Sequence, residues 1–183
     1  NRVGVSLIGD GLPDYEIHPI VAEVLKIREL STAYTPYQPE RSQGTLISQW
    51  LYQCTMAALT GFEAINASLC DRSTALFEAC LTAFRVSRGR NKVLISGGIF
   101  PGDREVIDSH FHGTDNEVEW IELDPQTGKM DLERLKQALQ AEGDSIAAVA
   151  FPQVNSLGYL EDFDAITRVG ESAGCSTIAI IDP

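Results

Sequence analysis

Beyond about residue 90 the chain alternates short β-branched runs with amphipathic stretches, with turn residues between them. Four runs have strand length and composition: residues 93–96, 118–121, 146–151 and 177–181. The last two are nearly continuous apolar segments, the pattern of strands buried on both faces of a helix-covered parallel sheet. Between the runs, Asp131 precedes a helix carrying Leu132, Leu135 and Leu139 on one face. Glu161 and Asp162 place negative charge at the start of another with Phe163, Ile166 and Val169. This alternation predicts an α/β fold, a three-layer α/β/α arrangement around a mostly parallel sheet.

The first 90 residues read differently, as helical patterns interrupted by one proline-rich loop. His18-Pro19-Ile20-Val21 opens a helix with Val24 and Leu25 on its inner face. Residues 42–59 predict a longer helix, capped by Ser42 and closed by Gly61. A third begins near Thr74 and runs through Leu76, Cys80, Leu81 and Phe84. One domain is expected over residues 1–183, with N-terminal helices and the loop in 1–62 and the α/β part in 63–183.

Composition adds exclusions. With 14 basic against 26 acidic side chains the net charge is -12, a field that repels nucleic acid. No apolar run approaches the roughly 20 residues of a membrane span, and the start lacks a secretory h-region. A cytoplasmic protein is expected. The cysteines Cys54, Cys70, Cys80 and Cys175 form no C-x-x-C pair and read as reduced core thiols, with a regulatory disulfide as the alternative.

Candidate chemistry starts in the loop at residues 32–40. Pro36 and Pro39 stiffen it, so Tyr34, Tyr37, Gln38 and Glu40 stand on a pre-set extended backbone. Such a segment suits either a wall of hydrogen-bonding groups for a small polar substrate or a structural loop with packed tyrosines. The helix starts at Ser42-Gln43-Gly44 and at Asp71-Arg72-Ser73-Thr74 present free N–H groups able to hold phosphate, although simple capping explains both. His110 and His112 point the same way if they lie on a strand, but they lack a third ligand at a recognisable spacing, and no metal is expected. Asn155, after the run at 146–151, and Asp182, after the run at 177–181, fall at the carboxyl ends of two strands, where open α/β sheets place ligands.

These residues carry a family resemblance. Residues 34–40 with Ser42-Gln43-Gly44-Thr45-Leu46 resemble the T-A-Y-T-P-Y-Q-P-E-x-S-Q-G-T-L signature of the glycine decarboxylase P-protein family, in the form found in its separate α subunits. Tyr52-Gln53 with Leu59-Thr60-Gly61, then Asn66-Ala67-Ser68-Leu69 with Asp71, Thr74, Ala75 and Glu78, resemble later family motifs. So do Pro152-Gln153-Val154-Asn155, Leu157-Gly158 and Glu161-Asp162. Residues 11–18 depart from the family's Gly-x-Tyr-Asp-His pattern.

The resemblance implies part of the large domain of a fold-type-I pyridoxal-phosphate protein. The implied enzyme decarboxylates glycine and passes the aminomethyl group to the lipoyl arm of H-protein. It also implies a substrate- and cofactor-facing set of Tyr34, Thr35, Tyr37, Gln38, Glu40, Ser42, Gln43, Asn66, Ser68, Asn155 and Asp182, with Asp182 the counterpart of the pyridine-binding aspartate. No catalytic lysine is expected here, because Lys26, Lys92, Lys129 and Lys136 lie on helices, before a strand or in a turn. The resemblance assigns the Schiff-base lysine, and most of the hold on pyridoxal phosphate, to a β subunit in a heterotetramer. It also implies that this chain is a piece of a longer subunit. The alternative is an inert structural subunit that only binds and orders its β partner.

Overall fold

From the amino end, the helical pattern resolves into α1, Ile20–Val24, a single 3-10 turn at Arg28–Leu30, and α2, Gln43–Thr60. The structure, a computed structural model, describes Gly4, residues 15–67 and residues 69–182. Its contacts divide between Leu69 and Cys70 into two compact units.

In the first unit, α2 matches the predicted span and ends where Gly61 turns left-handed at φ +76° and donates its N–H to the Ala57 carbonyl at 2.9 Å. Its start differs from expectation. Ser42 does not cap, because its hydroxyl turns back to donate to the Gln38 carbonyl at 2.7 Å. Thr32 caps instead, its hydroxyl oxygen accepting from the N–H groups of Gly44 at 3.0 Å and Thr45 at 3.4 Å. Helix α1 is only 5 residues long and buries none of them; Val24 and Leu25, expected inside, are exposed.

The second unit holds the sheet. All four runs are strands, β1 Lys92–Ser96, β2 Glu117–Ile121, β3 Ile146–Pro152 and β4 Ser176–Ile180. Every pairing is parallel and the order is β2-β1-β3-β4. Helices α3, Arg72–Ser87, and α4, Pro101–Phe111, cover one face, packing Leu76, Cys80, Ile107 and Phe111 on Val93, Ile95, Ala148 and Ala150. Helices α5, Leu132–Glu142, and α6, Phe163–Ser172, cover the other, where Leu135, Leu139 and Ile166 meet Leu94, Val149 and Phe151.

This is the expected three-layer α/β/α sheet. The alternate side chains of β1 serve opposite faces, as strand geometry requires. Strand β3 is buried throughout, whereas β4 is only half-buried. The second observation corrects the expectation from its apolar run, since β4 has no outer neighbour among the described residues.

Candidate functional site

The proline-rich loop is an arch pinned at both feet to the first turn of α2. At one foot Thr32 caps the helix and the Thr45 hydroxyl donates to the Ala33 carbonyl at 3.2 Å. At the other, the Gln38 carbonyl accepts from the N–H groups of Arg41 and Ser42, both at 2.9 Å, and from the Ser42 hydroxyl. Gly44 lets the chain close this tightly, because a Cβ there would lie 1.7 Å from the Glu29 carbonyl oxygen. Between the feet Tyr34, Thr35, Tyr37, Gln38 and Glu40 all face outward, Tyr34 and Tyr37 at 103% and 85% exposure. The tyrosines are therefore not packed against the other described residues.

Gln43 is also exposed, while Ser42 is buried beneath the arch. Asn66 is exposed on the segment after α2, which the Gln53 side chain ties to that helix by donating to the Ile65 carbonyl at 2.5 Å. Ser68 lies outside the described residues, as do residues 11–14 of the departing segment.

Asn155 and Asp182 belong to the other unit, at the carboxyl edge of the sheet. The crevice between β1 and β3, where the strand order reverses, is the ligand position of an open α/β sheet. Here the loops after the two strands close on each other. The Ser156 N–H donates to the Gly98 carbonyl at 2.8 Å, and a Cβ on Gly98 would lie 2.9 Å from that of Asn155.

The Asn155 amide donates to the Gly128 carbonyl and the Glu161 carboxylate, both at 2.8 Å, and accepts from the Leu157 and Tyr159 N–H groups, both at 3.1 Å. Two donors and two lone pairs are thereby used, the full capacity of an amide. Asn155 holds the edge loop in shape and has nothing left for a ligand, which corrects its assignment as a ligand-facing residue. Glu161 completes this knot by accepting from the buried Met130 N–H at 3.0 Å. The charge at the start of α6 is instead supplied by Asp162, which caps Ala165 at 3.1 Å. Asp182 is exposed just past β4.

A model of the glycine cleavage system P-protein matches residues 1–183. The chain belongs to the glycine cleavage system P-protein family. A relative in Endomicrobium trichonymphae, "Probable glycine dehydrogenase (decarboxylating) subunit 1", is 37% identical over 183 residues, covering 100% of this chain and 40% of the relative. This P-protein chain thus spans about 40% of the length of such relatives. The crystal structure of a glycine decarboxylase (P-protein), in inhibitor-bound form, superposes with a TM-score of 0.80 at 35% identity, covering 96% of this chain and 38% of that one. An Oryza sativa TDC structure with pyridoxal phosphate and tryptamine matches at TM-score 0.65 and 14% identity, covering 87% of this chain and 37% of that one. At that identity it shows a shared fold only, that of a pyridoxal-phosphate enzyme.

A P-protein raises the question of whether these residues fit that cofactor, which needs a seat for its phosphate and a lysine. Helix N-termini are the natural phosphate seats. All four helices of this unit start at the carboxyl edge; aspartates cap three of those starts, and α4 carries Asp103 in its first turn without a side-chain cap. Asp71 caps α3 through the Thr74 N–H at 2.7 Å, an interaction that holds the Asp71 carboxyl below its ordinary range. Asp131 caps α5 through Glu133 and Arg134, both at 3.0 Å, and Asp162 caps α6. On α4, Asp103 reaches to α3, accepting from the Ser73 hydroxyl at 2.5 Å and from Arg72 Nε at 2.7 Å. The lysines fit no better: Lys26 pairs with Glu23, Lys136 with Glu133, and Lys92 with Glu142 at the amino end of β1. Lys129 lies in the turn after β2. Among the described residues of this unit, the three aspartate-capped helix starts and the ion-paired Lys92 and Lys136 do not fit a phosphate-bearing cofactor.

The histidines are also placed differently from expectation. His110 lies on α4, stacked on Phe77 at 4.4 Å, and His112 follows the helix as its C-cap, so the two share no strand face. Among the described residues no group of three His, Cys, Asp or Glu side chains is placed to hold a metal. Burial pushes the Cys80 thiol up to about 12, whereas Cys54 and Cys70 are exposed rather than in a core. No helix among the described residues is long and apolar enough to cross a membrane.

Sequence reasoning missed Thr32, Asp103 and the burial of Glu161. Asp103 had a local signal, since Pro101-Gly102-Asp103 is a typical first helical turn. Its partner on α3 had none.

Proposed function

We propose that this chain is part of subunit 1 of a glycine dehydrogenase (decarboxylating). In this reading the assembled enzyme decarboxylates glycine with pyridoxal phosphate and transfers the aminomethyl group to the lipoyl group of H-protein. The cofactor and its lysine belong to the β subunit of a cytoplasmic heterotetramer, and this chain supplies a wall of the shared active site. The match of the whole chain to P-protein supports the reaction. One observation carries the role of this chain, the arch that holds Tyr34, Thr35, Tyr37, Gln38 and Glu40 outward while pinned at both feet to α2. Groups fixed before binding lose little conformational freedom when they meet a substrate. The arch hydroxyls, the Gln38 amide and the Glu40 carboxylate are suited to orienting glycine or the lipoyl amide and to excluding water. Gln43 and Asn66 extend the proposed wall and Ser42 braces it, while Ser68 and Asp182 are proposed as site residues on the family resemblance alone.

In the reconstituted α/β enzyme, Tyr37→Phe and Gln38→Ala each reduce glycine decarboxylation by about ten-fold, a lost hydrogen bond of roughly 1.4 kcal/mol. Unchanged kcat and KM in both variants would remove the arch from the site.

A second reading, an inert subunit that only binds and orders its β partner, draws on the exposed apolar side chains Ile47, Trp50, Leu51 and Leu59 of α2. It predicts that the same substitutions weaken α/β association and leave glycine kinetics untouched.

A further inference from the structure

The starts of α3 and α4 meet, and what lies between them is an aspartate in a setting suited to a phosphate. Asp103, 6% exposed, sits in the first turn of α4, whose N-cap Phe100 provides no side-chain cap. Its Oδ1 accepts from the Ser73 hydroxyl and its Oδ2 from Arg72 Nε, both in the first turn of α3. The Arg72 guanidinium lies over the Phe100 ring, 4.6 Å from its centroid, and is thereby oriented from the side opposite its solvent face. A serine hydroxyl, a guanidinium and two converging helix dipoles are the donor set that ordinarily surrounds a phosphate. Here one carboxylate takes those donors, and it is covalently attached.

We propose that Asp103 is a tethered anion that closes the phosphate seat of this fold, so that the unit is held shut against free phosphate and phosphorylated cofactors. The inference rests on the reading in which the β subunit carries the cofactor, and supplies the physical reason this chain does not. A free anion must displace a carboxylate whose translational freedom was already lost on folding. It must also approach an edge that Asp71, Asp131 and Asp162 make negative. Removal of the carboxylate leaves Arg72, Ser73 and the uncapped start of α4 facing an opening about the size of the lost group. Asp103→Asn removes the charge but keeps the shape, so it leaves the opening filled.

The test is thermal unfolding of the full-length protein with inorganic phosphate against sodium chloride at equal ionic strength. Phosphate raises the Tm of Asp103→Ala by on the order of 2 °C, has no effect on the wild type or Asp103→Asn, and loses its effect in the Arg72→Ala/Asp103→Ala double variant. A wild-type Tm that rises with phosphate, or a folded Asp103→Ala that ignores it, overturns the proposal. If Asp103→Ala does not fold, phosphorus NMR of the wild type decides, because broadening of the phosphate line by the wild-type protein contradicts a closed seat and an unperturbed line supports it. Glycine decarboxylation by the wild-type α/β enzyme is measured alongside. An active enzyme with a phosphate-blind Asp103→Ala defeats only the closed seat, whereas an inactive enzyme defeats the functional reading itself.

Discussion

Gly44 and Asn155 show how single residues set the two candidate regions. At Gly44 any side chain meets the Glu29 carbonyl, so the 3-10 turn can lie against α2 only with glycine there. Gly44→Ala is expected to cost about 1–3 kcal/mol, the usual penalty for overpacking, and to release the arch. Limited proteolysis checks this, with faster cleavage between residues 33 and 41 as the expected result. Asn155→Ala removes the donor to the Gly128 carbonyl, one of the two donors to Glu161, and the acceptor of the Leu157 and Tyr159 N–H groups, at about 1–3 kcal/mol in all. A lowered denaturant midpoint is expected. Neither role was legible in the sequence, because the partners, Glu29 and Gly128, come close only through the folded chain. The family motif contains both residues but does not say what they touch.

At the level of elements, local chemistry wrote itself clearly into the sequence. Asp131 and Asp162 were readable as caps because a short acidic side chain before an apolar helical face reaches the free N–H groups of the first turn. Asp131→Ala is expected to lower stability by about 1 kcal/mol in chemical denaturation. Ser42 misled because the same local rule applied to it, while Thr32 supplied the cap from outside the helix. The strands were legible from their apolar runs, but their burial was not: β4 reads like a strand covered on both faces and is half-buried, with no outer neighbour among the described residues.

The cap on α3 has a pH signature. The Asp71 carboxyl is held below the ordinary carboxylate range by its bonds to Thr74, so its stabilisation is present above the unfolded pKa and lost as pH falls through the folded one. Asp71→Asn keeps a capping oxygen and removes the charge. Its acid unfolding profile is therefore expected to be flatter below about pH 4 than that of the wild type, as the loss of one titrating group requires.

Across the whole molecule, the two ends of the sheet are used differently. At the amino end Lys92 joins Glu142 of α5 to Glu117 and Glu119 of β2, the latter two at 3.4 and 3.6 Å. Its hydrogen bond to the Glu142 carboxylate, which stabilises the protonated form, raises its pKa above the ordinary lysine value. That stabilisation is present below the unfolded pKa and fades as pH rises through the folded one, so it bears on structure rather than on chemistry at neutral pH. At the carboxyl end, where this fold class places ligands, four aspartates and the Asn155–Glu161 knot fill the available positions. In the other unit, Tyr34, Thr35, Tyr37, Gln38 and Glu40 of the arch face outward. The central claim is a division of labour, with the arch belonging to this chain and the cofactor to its partner. Borohydride reduction of the assembled α/β enzyme, followed by mass spectrometry of its peptides, tests it most directly. The account predicts a pyridoxyl adduct on a lysine of the partner subunit and none on Lys26, Lys92, Lys129 or Lys136; an adduct on any of these would contradict it.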